Sequence, residues 1–303
     1  MKKFIYRTCI FLILLFIFSE ILIRLLNVVS DIPERYVDEY GVQRYIPEQN
    51  GRYDRIKWKT NEYGWIGLSE TEGEVISIIG DSYIENLMNP ITCNQGYLLK
   101  EHLPNYSFFE AGRSGITLIE ALKISSILEN EIHPKLQLLY LSTGDFSESI
   151  SNIHRYSDRY QVDLETNEEK GGAIRGQRLK KILYNIKTLY YLYQKYPVFV
   201  AKQNKAEDND KSKTSISYDK YIPILFDYIA DNYDLNTIIF VFHPGINQDI
   251  IRLAEGHGIE YIELQTNEEE TQLWRMSDVD GHWSCYGHAQ VSAQVAKMLE
   301  ALL

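Results

Sequence analysis

Five short apolar runs recur through the last three-quarters of the chain, and each is followed by a stretch with helical spacing. The runs are Glu74–Gly80 (EVISIIG), Tyr106–Ala111, Leu136–Leu141, Thr237–Phe242 and Ile259–Leu264. A continuous β-branched run, rather than strict alternation, is the pattern of a strand buried on both faces. The intervening patterns predict helices at Gln95–His102, Thr117–Glu129, Tyr218–Asn232 and Gln248–Gly256, with a last helix from about Tyr286 to Leu302. Strands that alternate with helices need crossover connections, so the sheet is expected to be parallel with helices on both faces. The fold class is therefore α/β, a three-layer α/β/α sandwich around five parallel strands. In such sheets ligands bind outside the carboxyl ends of the strands.

Outside this pattern the chain divides by composition. Residues 1–29 read as a membrane segment. Lys2, Lys3 and Arg7 precede the uncharged run Thr8–Ser19, which contains FLILLFIF, and Glu20 and Arg24 interrupt the apolar residues beyond it. Twelve uncharged residues suit a signal-peptide core, whereas Thr8–Ile23 suffices for a span if Glu20 is tolerated. Cleavage after Val28-Val29-Ser30 fits the small-residue rule, but charges within the segment favour an uncleaved single-pass anchor. The basic start keeps the N-terminus cytoplasmic and exports the body; cleavage would make the protein secreted. Residues 30–72, rich in Tyr, Glu, Asp, Asn and Gly, read as a tether and irregular cap. The remainder, 73–303, forms the main domain. Within it 146–217 is an insertion: a polar loop Phe146–Gly176, a helical pattern Gln177–Tyr196, and a solvated tract Ala201–Ser217. Leaving the carboxyl end of the third strand, the loop is either a lid over the site or an ordinary surface insertion.

With 31 Lys+Arg against 42 Asp+Glu, the net charge is −11, which disfavours nucleic acid as a partner. Three cysteines without CxxC spacing exclude a zinc finger or a disulfide-dense scaffold. Cys93 and Cys285 could pair in an exported domain; nothing in the sequence requires it.

Three short blocks carry chemistry. Gly80-Asp81-Ser82-Tyr83 comes directly after the first strand. A Ser at a strand-to-helix turn presents its hydroxyl at the sheet edge, where backbone N–H groups can hold an oxyanion. Glu110-Ala111-Gly112-Arg113-Ser114-Gly115 ends the second strand; a Gly there lets backbone approach a substrate and supply a donor. Asp278-Val279-Asp280-Gly281-His282-Trp283-Ser284 precedes the last helix. A carboxylate near a His fixes its tautomer, and the His can take the proton that makes Ser82 nucleophilic. Asp280 is the expected orienter, Asp278 the alternative. Metal-protease, P-loop, dinucleotide and G-x-S-x-G motifs do not occur. His243 ends the fourth strand and either faces the site or packs; His288 is expected to pack or cap.

In these blocks the sequence resembles the SGNH/GDSL hydrolases, serine esterases and acyltransferases on a flavodoxin-like sheet. Ser82 in GDSY matches the family's first block, Gly112 its second, and Asp280 with His282 in DGHWSCYGH its fifth. The D-x-H-W form is similar to that of envelope polysaccharide O-acetyltransferases. Thr60–Gly67 (TNEYGWIG) looks like a stretch found before GDS in membrane-anchored members. The likeness spans about residues 58–302. It implies catalytic Ser82, Asp280 and His282, oxyanion donors at Ser82 and Gly112, and no metal or organic cofactor. The implied substrate is an acyl, chiefly O-acetyl, ester on an envelope or extracellular glycan. An O-acetyltransferase and a non-catalytic glycan-binding or assembly protein are the alternatives.

One position departs. The family's third block supplies an Asn that donates to the oxyanion, whereas here Ser142-Thr143-Gly144-Asp145 places Gly144 there. Thr143 or Ser142 would then have to donate, or the hole would rest on backbone alone.

Overall fold

The structure, a computed structural model, describes residues 1–174, 176–196 and 211–303, with the side chains of 211–217 and 268 left aside. Helix α1 (Lys2–Leu25) comes first, then two short hairpins, β1 (Arg35–Val37) with β2 (Gln43–Tyr45) and β3 (Asn50–Tyr53) with β4 (Ile56–Lys59). The main domain is built from β5 (Val75–Gly80), α2 (Ser82–Glu85), α3 (Gln95–His102), β6 (Ser107–Gly112), α4 (Leu118–Glu131), β7 (Leu136–Leu141) and α5 (Thr143–Glu148). The inserted region holds a hairpin, β8 (Gln161–Asp163) with β9 (Glu168–Lys170), and helices α6 (Gln177–Asn185) and α7 (Lys187–Lys195). The chain then runs through α8 (Lys211–Asn232), β10 (Ile238–Phe242), α9 (Gln248–Gly256), β11 (Tyr261–Glu263), α10 (Glu268–Trp274) and α11 (Cys285–Leu302).

The five strands pair in parallel in the order β11-β10-β7-β5-β6. Numbered within the sheet this is 2-1-3-4-5, the doubly wound flavodoxin-like order. The order reverses between β6-β5 and β7, so the switch point lies at the carboxyl ends of β5 and β7. All six residues of β5 are buried, which is why its sequence shows no alternation. One face carries Phe109, Leu139, Phe240 and Phe242 against α4, α8 and α9; the other carries Ile76, Ile78, Tyr140 and Val241 against α3 and α11. Each fully buried Leu, Ile or Phe contributes roughly 1.5–3 kcal/mol relative to exposure.

The outer edge of β6 is covered. Residues 66–70 run antiparallel along it, with bridges Ile66↔Gly112 and Ser69↔Phe109 and bonds Glu110 N–H to Leu68 carbonyl (2.8 Å) and Glu70 N–H to Phe108 carbonyl (3.1 Å). The Glu110 carboxylate is wholly buried and accepts from the N–H groups of Leu68 (2.8 Å) and Gly96 (2.9 Å). Any side chain at Gly67 or Gly96 would strike it. Burial pushes its pKa up to about 7 despite those two donors.

Three local readings change. The expected irregular cap contains two hairpins, with Val42, Tyr45, Trp58 and Trp65 buried; strands this short carry too few residues to show a period. The single helical pattern Gln177–Tyr196 splits at Ile186, because Glu20 of α1 accepts from the N–H groups of Lys187 (3.0 Å) and Thr188 (2.8 Å) and so caps a second helix. Of the tract Ala201–Ser217, residues 201–210 lie outside the described residues, and 211–217 begin α8. Cys93 and Cys285 form a disulfide, with Cα atoms 5.2 Å apart.

Candidate active site

Ser82 begins α2 directly after β5. Asp81 caps that helix, its carboxylate accepting from Tyr83 N–H at 2.9 Å. The turn needs small residues around it. A Cβ on Gly80 would meet Ile84 at 2.5 Å, and one on Gly112 would meet Glu85 N at 2.5 Å. Gly112 therefore brings the end of β6 against the backbone of α2, beside Ser82.

His282 arrives from the loop between α10 and α11. That loop is held by Met276 N–H donating to the His282 carbonyl (2.8 Å), by Ser284 N–H donating to the Trp274 carbonyl (2.6 Å), and by buried Trp283. Ser284 also caps α11. His282 Nε2 lies 2.8 Å from Ser82 Oγ, and Nδ1 lies 2.6 Å from Asp280 Oδ1. Because a carboxylate only accepts, Nδ1 carries the proton and Nε2 is left to accept from the Ser82 hydroxyl. Asp280 also accepts from the His282 backbone N–H (3.1 Å), and the side-chain bond to His282 holds its carboxyl below the usual range. Its side chain is 41% exposed, so this carboxylate orients the imidazole from the rim. Asp278 makes no such bond. Ser114 donates instead to Glu85.

Thr143 and Gly144 open α5 after β7, across the switch point from Ser82. Asp145 accepts from Ser142 N–H (2.6 Å) and Ser142 Oγ (2.9 Å), closing this turn. Thr143 Oγ1 accepts from Asn247 N–H at 3.1 Å, which leaves its hydroxyl hydrogen to donate elsewhere. A Cβ on Gly144 would meet only Ser142 Oγ, at 3.6 Å, so there is room for a side chain.

Several groups around the site carry no local sequence signal. Asp145 is buried and Asp81 partly so; desolvation raises both pKa values, and the Asp81 charge raises Asp145 further. Arg159, from the inserted loop, lies in electrostatic range of both and pairs with Glu148; half-burial lowers its pKa. The Tyr83 ring packs on His243 (4.5 Å), His282 (4.9 Å) and Trp283 (4.8 Å). His243 faces the site: burial, with the nearby His282, drives its pKa to about 3, so it is neutral, and its Nε2 has no partner. Tyr83, His243 and Trp283, with Thr143, Gly144, Trp274 and Gly281, line a cavity of about 590 Å³ next to the Ser82–His282 pair. Trp274 Nε1 is likewise buried and unbonded. His288 packs, its Nδ1 beside Gln95. A second cavity of about 760 Å³ lies past Arg113 and Ser114, lined by Arg35, Arg159, Lys180 and Lys181. Among the described residues no cluster of His, Cys, Asp and Glu has metal-binding geometry.

No family model matches the chain, and no curated protein does. Among solved structures it is similar to the lipase/acylhydrolase from Enterococcus faecalis, at 10% identity and a TM-score of 0.40 over 76% of this chain and 97% of that one. It is also similar to a psychrotrophic esterase from Pseudoalteromonas sp., at 11% identity and a TM-score of 0.39 over 76% and 98%. A two-domain esterase active on acetylated mannans matches at 13% identity and a TM-score of 0.38 over 76% and 50%.

Proposed function

We propose that the protein is an SGNH-type serine hydrolase that cleaves acyl esters on a hydroxyl-rich substrate, and that α1 anchors it in a membrane with the main domain exported. The observation that carries the reading is the unbroken hydrogen-bond chain Ser82–His282–Asp280 at the switch point of a flavodoxin-like sheet. Ser82 Oγ attacks the ester carbonyl while His282 Nε2 takes its proton. The tetrahedral oxyanion is held by backbone N–H groups of Ser82 and Gly112 and by the Thr143 hydroxyl. Collapse expels the alcohol, protonated by His282, and leaves an acyl group on Ser82. Water activated by the same imidazole releases the carboxylic acid. Asp280 holds the tautomer and stabilises the imidazolium.

The cavity supports a carbohydrate alcohol, with an O-acetyl group as the ester. Half-buried Tyr83 offers part of its ring to such a ligand, backed by the buried Trp283 and His243, and Thr143 adds a hydroxyl at the cavity wall. For the anchor, α1 is long and apolar enough to cross a bilayer, and Lys2, Lys3 and Arg7 mark its cytoplasmic end. A non-catalytic glycan binder is the second reading, favoured by the missing side chain at Gly144. A fluorophosphonate probe and p-nitrophenyl acetate decide between them: the hydrolase is labelled and turns over, and the binder does neither.

A further inference from the structure

Residues 176–196 contain five cations (Arg178, Lys180, Lys181, Lys187, Lys195) and no carboxylate, in a chain of net charge −11. They form α6 and α7, and their apolar side chains face outward: Leu179 is 72% exposed, Ile182 55%, Leu192 45% and Tyr196 64%. Leu189, Leu192 and Tyr193 of α7, with Tyr196 just past its end, share helical spacing along one face, while Lys187, Thr188 and Tyr190 are buried. An apolar stripe flanked by cations is the pattern of a helix lying in a membrane interface.

The position of the pair supplies the partner. Glu20 of α1 caps α7 through Lys187 and Thr188, Ser19 Oγ lies 3.2 Å from Thr188 Oγ1, and Arg24 donates to the Asn185 carbonyl. The charged groups that interrupt the apolar segment are thus bonded to the junction of α6 and α7. Below this level, from Phe4 to Phe18, the large apolar side chains of α1 are exposed, as a lipid-facing helix requires. The level of Ser19 and Glu20 marks where α1 leaves hydrocarbon, and α7 starts at that level.

We propose that α6 and α7 form a seat on the bilayer that α1 enters. The apolar side chains rest among headgroups and upper acyl chains, and the exposed Arg178, Lys180 and Lys195 face anionic lipid, while Lys181 pairs with Glu34 and the buried Lys187 with Asp31. The proposal rests on α1 spanning the membrane. Lys180, Lys181 and Tyr184 also line the second cavity, so its mouth opens beside the headgroups.

The test uses the full chain in vesicles containing phosphatidylglycerol, with Cys9→Ser removing the one free thiol among the described residues. Leu192→Cys carries a nitrobenzoxadiazole label, and Glu300→Cys is the water-facing control; retained fluorophosphonate labelling shows that each variant is folded. The label at 192 should be blue-shifted, quenched at least twofold more than the control by shallow spin-labelled lipid, and protected from iodide. Equal iodide access at both positions overturns the seat. Protection from iodide without quenching by lipid also overturns it, because the face is then covered by protein. Failure of the chain to float with vesicles overturns the anchor and the seat together.

Discussion

Asn89 Nδ2 donates to the backbone carbonyl of Trp283 at 2.8 Å, tying the segment after Ser82 to the residue after His282. The same amide reaches Asn86 Oδ1 (2.7 Å), and Asn86, left-handed at the end of α2, donates to Asn94. The Cys93–Cys285 bond fixes the same two segments covalently. The nucleophile and its base are 200 residues apart in sequence, and this buried amide cluster and disulfide tie together the two segments that carry them.

Ser82→Ala should abolish probe labelling and lower ester turnover by at least about 10³-fold. The side chain is small and partly exposed, so the melting temperature should hold within a few degrees. Full turnover in this variant would move the nucleophile elsewhere.

Asp280→Asn should cost about 10²–10⁴ in kcat, because the amide favours the wrong tautomer. The wild-type carboxyl sits below its ordinary value, so its stabilising contribution is present above the usual carboxylate range and lost as pH falls through the lowered folded value. The stability difference between wild type and Asp280→Asn, measured by chemical denaturation, should be constant at neutral pH and shrink in acid.

Gly144→Asn has space for its side chain and should raise kcat on a small ester if the oxyanion lacks a donor, by at most about 10²–10³-fold. If the Thr143 hydroxyl already donates, Thr143→Val should cost at least about tenfold and Gly144→Asn should change little. Steady-state kinetics on p-nitrophenyl acetate separate a depleted oxyanion hole from a rewired one.

Glu110 gives the opposite pH sign. Its folded pKa, about 7, lies above the ordinary value. Between these values the folded state holds a proton that the unfolded chain has lost, so stability falls as pH rises through this window and levels off above about 7. The loss should amount to about 3 kcal/mol, and Glu110→Gln should remove the slope in urea titrations run from pH 4 to 8.

Replacing Cys93 and Cys285 with Ala should cost about 2–5 kcal/mol, since the crosslink closes a very long loop. Turnover should fall further than global unfolding explains, because the bond braces the His282 loop. Thermal melts and kcat measured on the same sample check both halves.

The sheet was legible because strands buried on both faces have to be continuous apolar runs: Leu136–Leu141 keeps the boundaries that its sequence suggests, as does the amphipathic helix Gln248–Gly256. Ser82, Gly112 and His282 stand out because strand ends and helix starts leave local marks. What stayed hidden depends on distant partners. The break at Ile186 is made by Glu20, far earlier in the chain. Arg159 reaches the Asp81–Asp145 pair, and Tyr83, His243 and Trp283 enclose one cavity, only through the tertiary fold.

The antiparallel segment 66–70 sets where the chain tolerates a cut. β6 is an edge strand, and this segment occupies hydrogen-bonding positions that would otherwise be open to any other extended chain. Proteolysis before residue 60 leaves that shield in place. Loss of the segment after cleavage ahead of β5 would bare Phe108 to Gly112 and remove Leu68 N–H, one of the two donors to the buried Glu110 carboxylate. The edge opened in that way should pair with the edge of another sheet, so aggregation is the expected outcome of the second cut and not of the first.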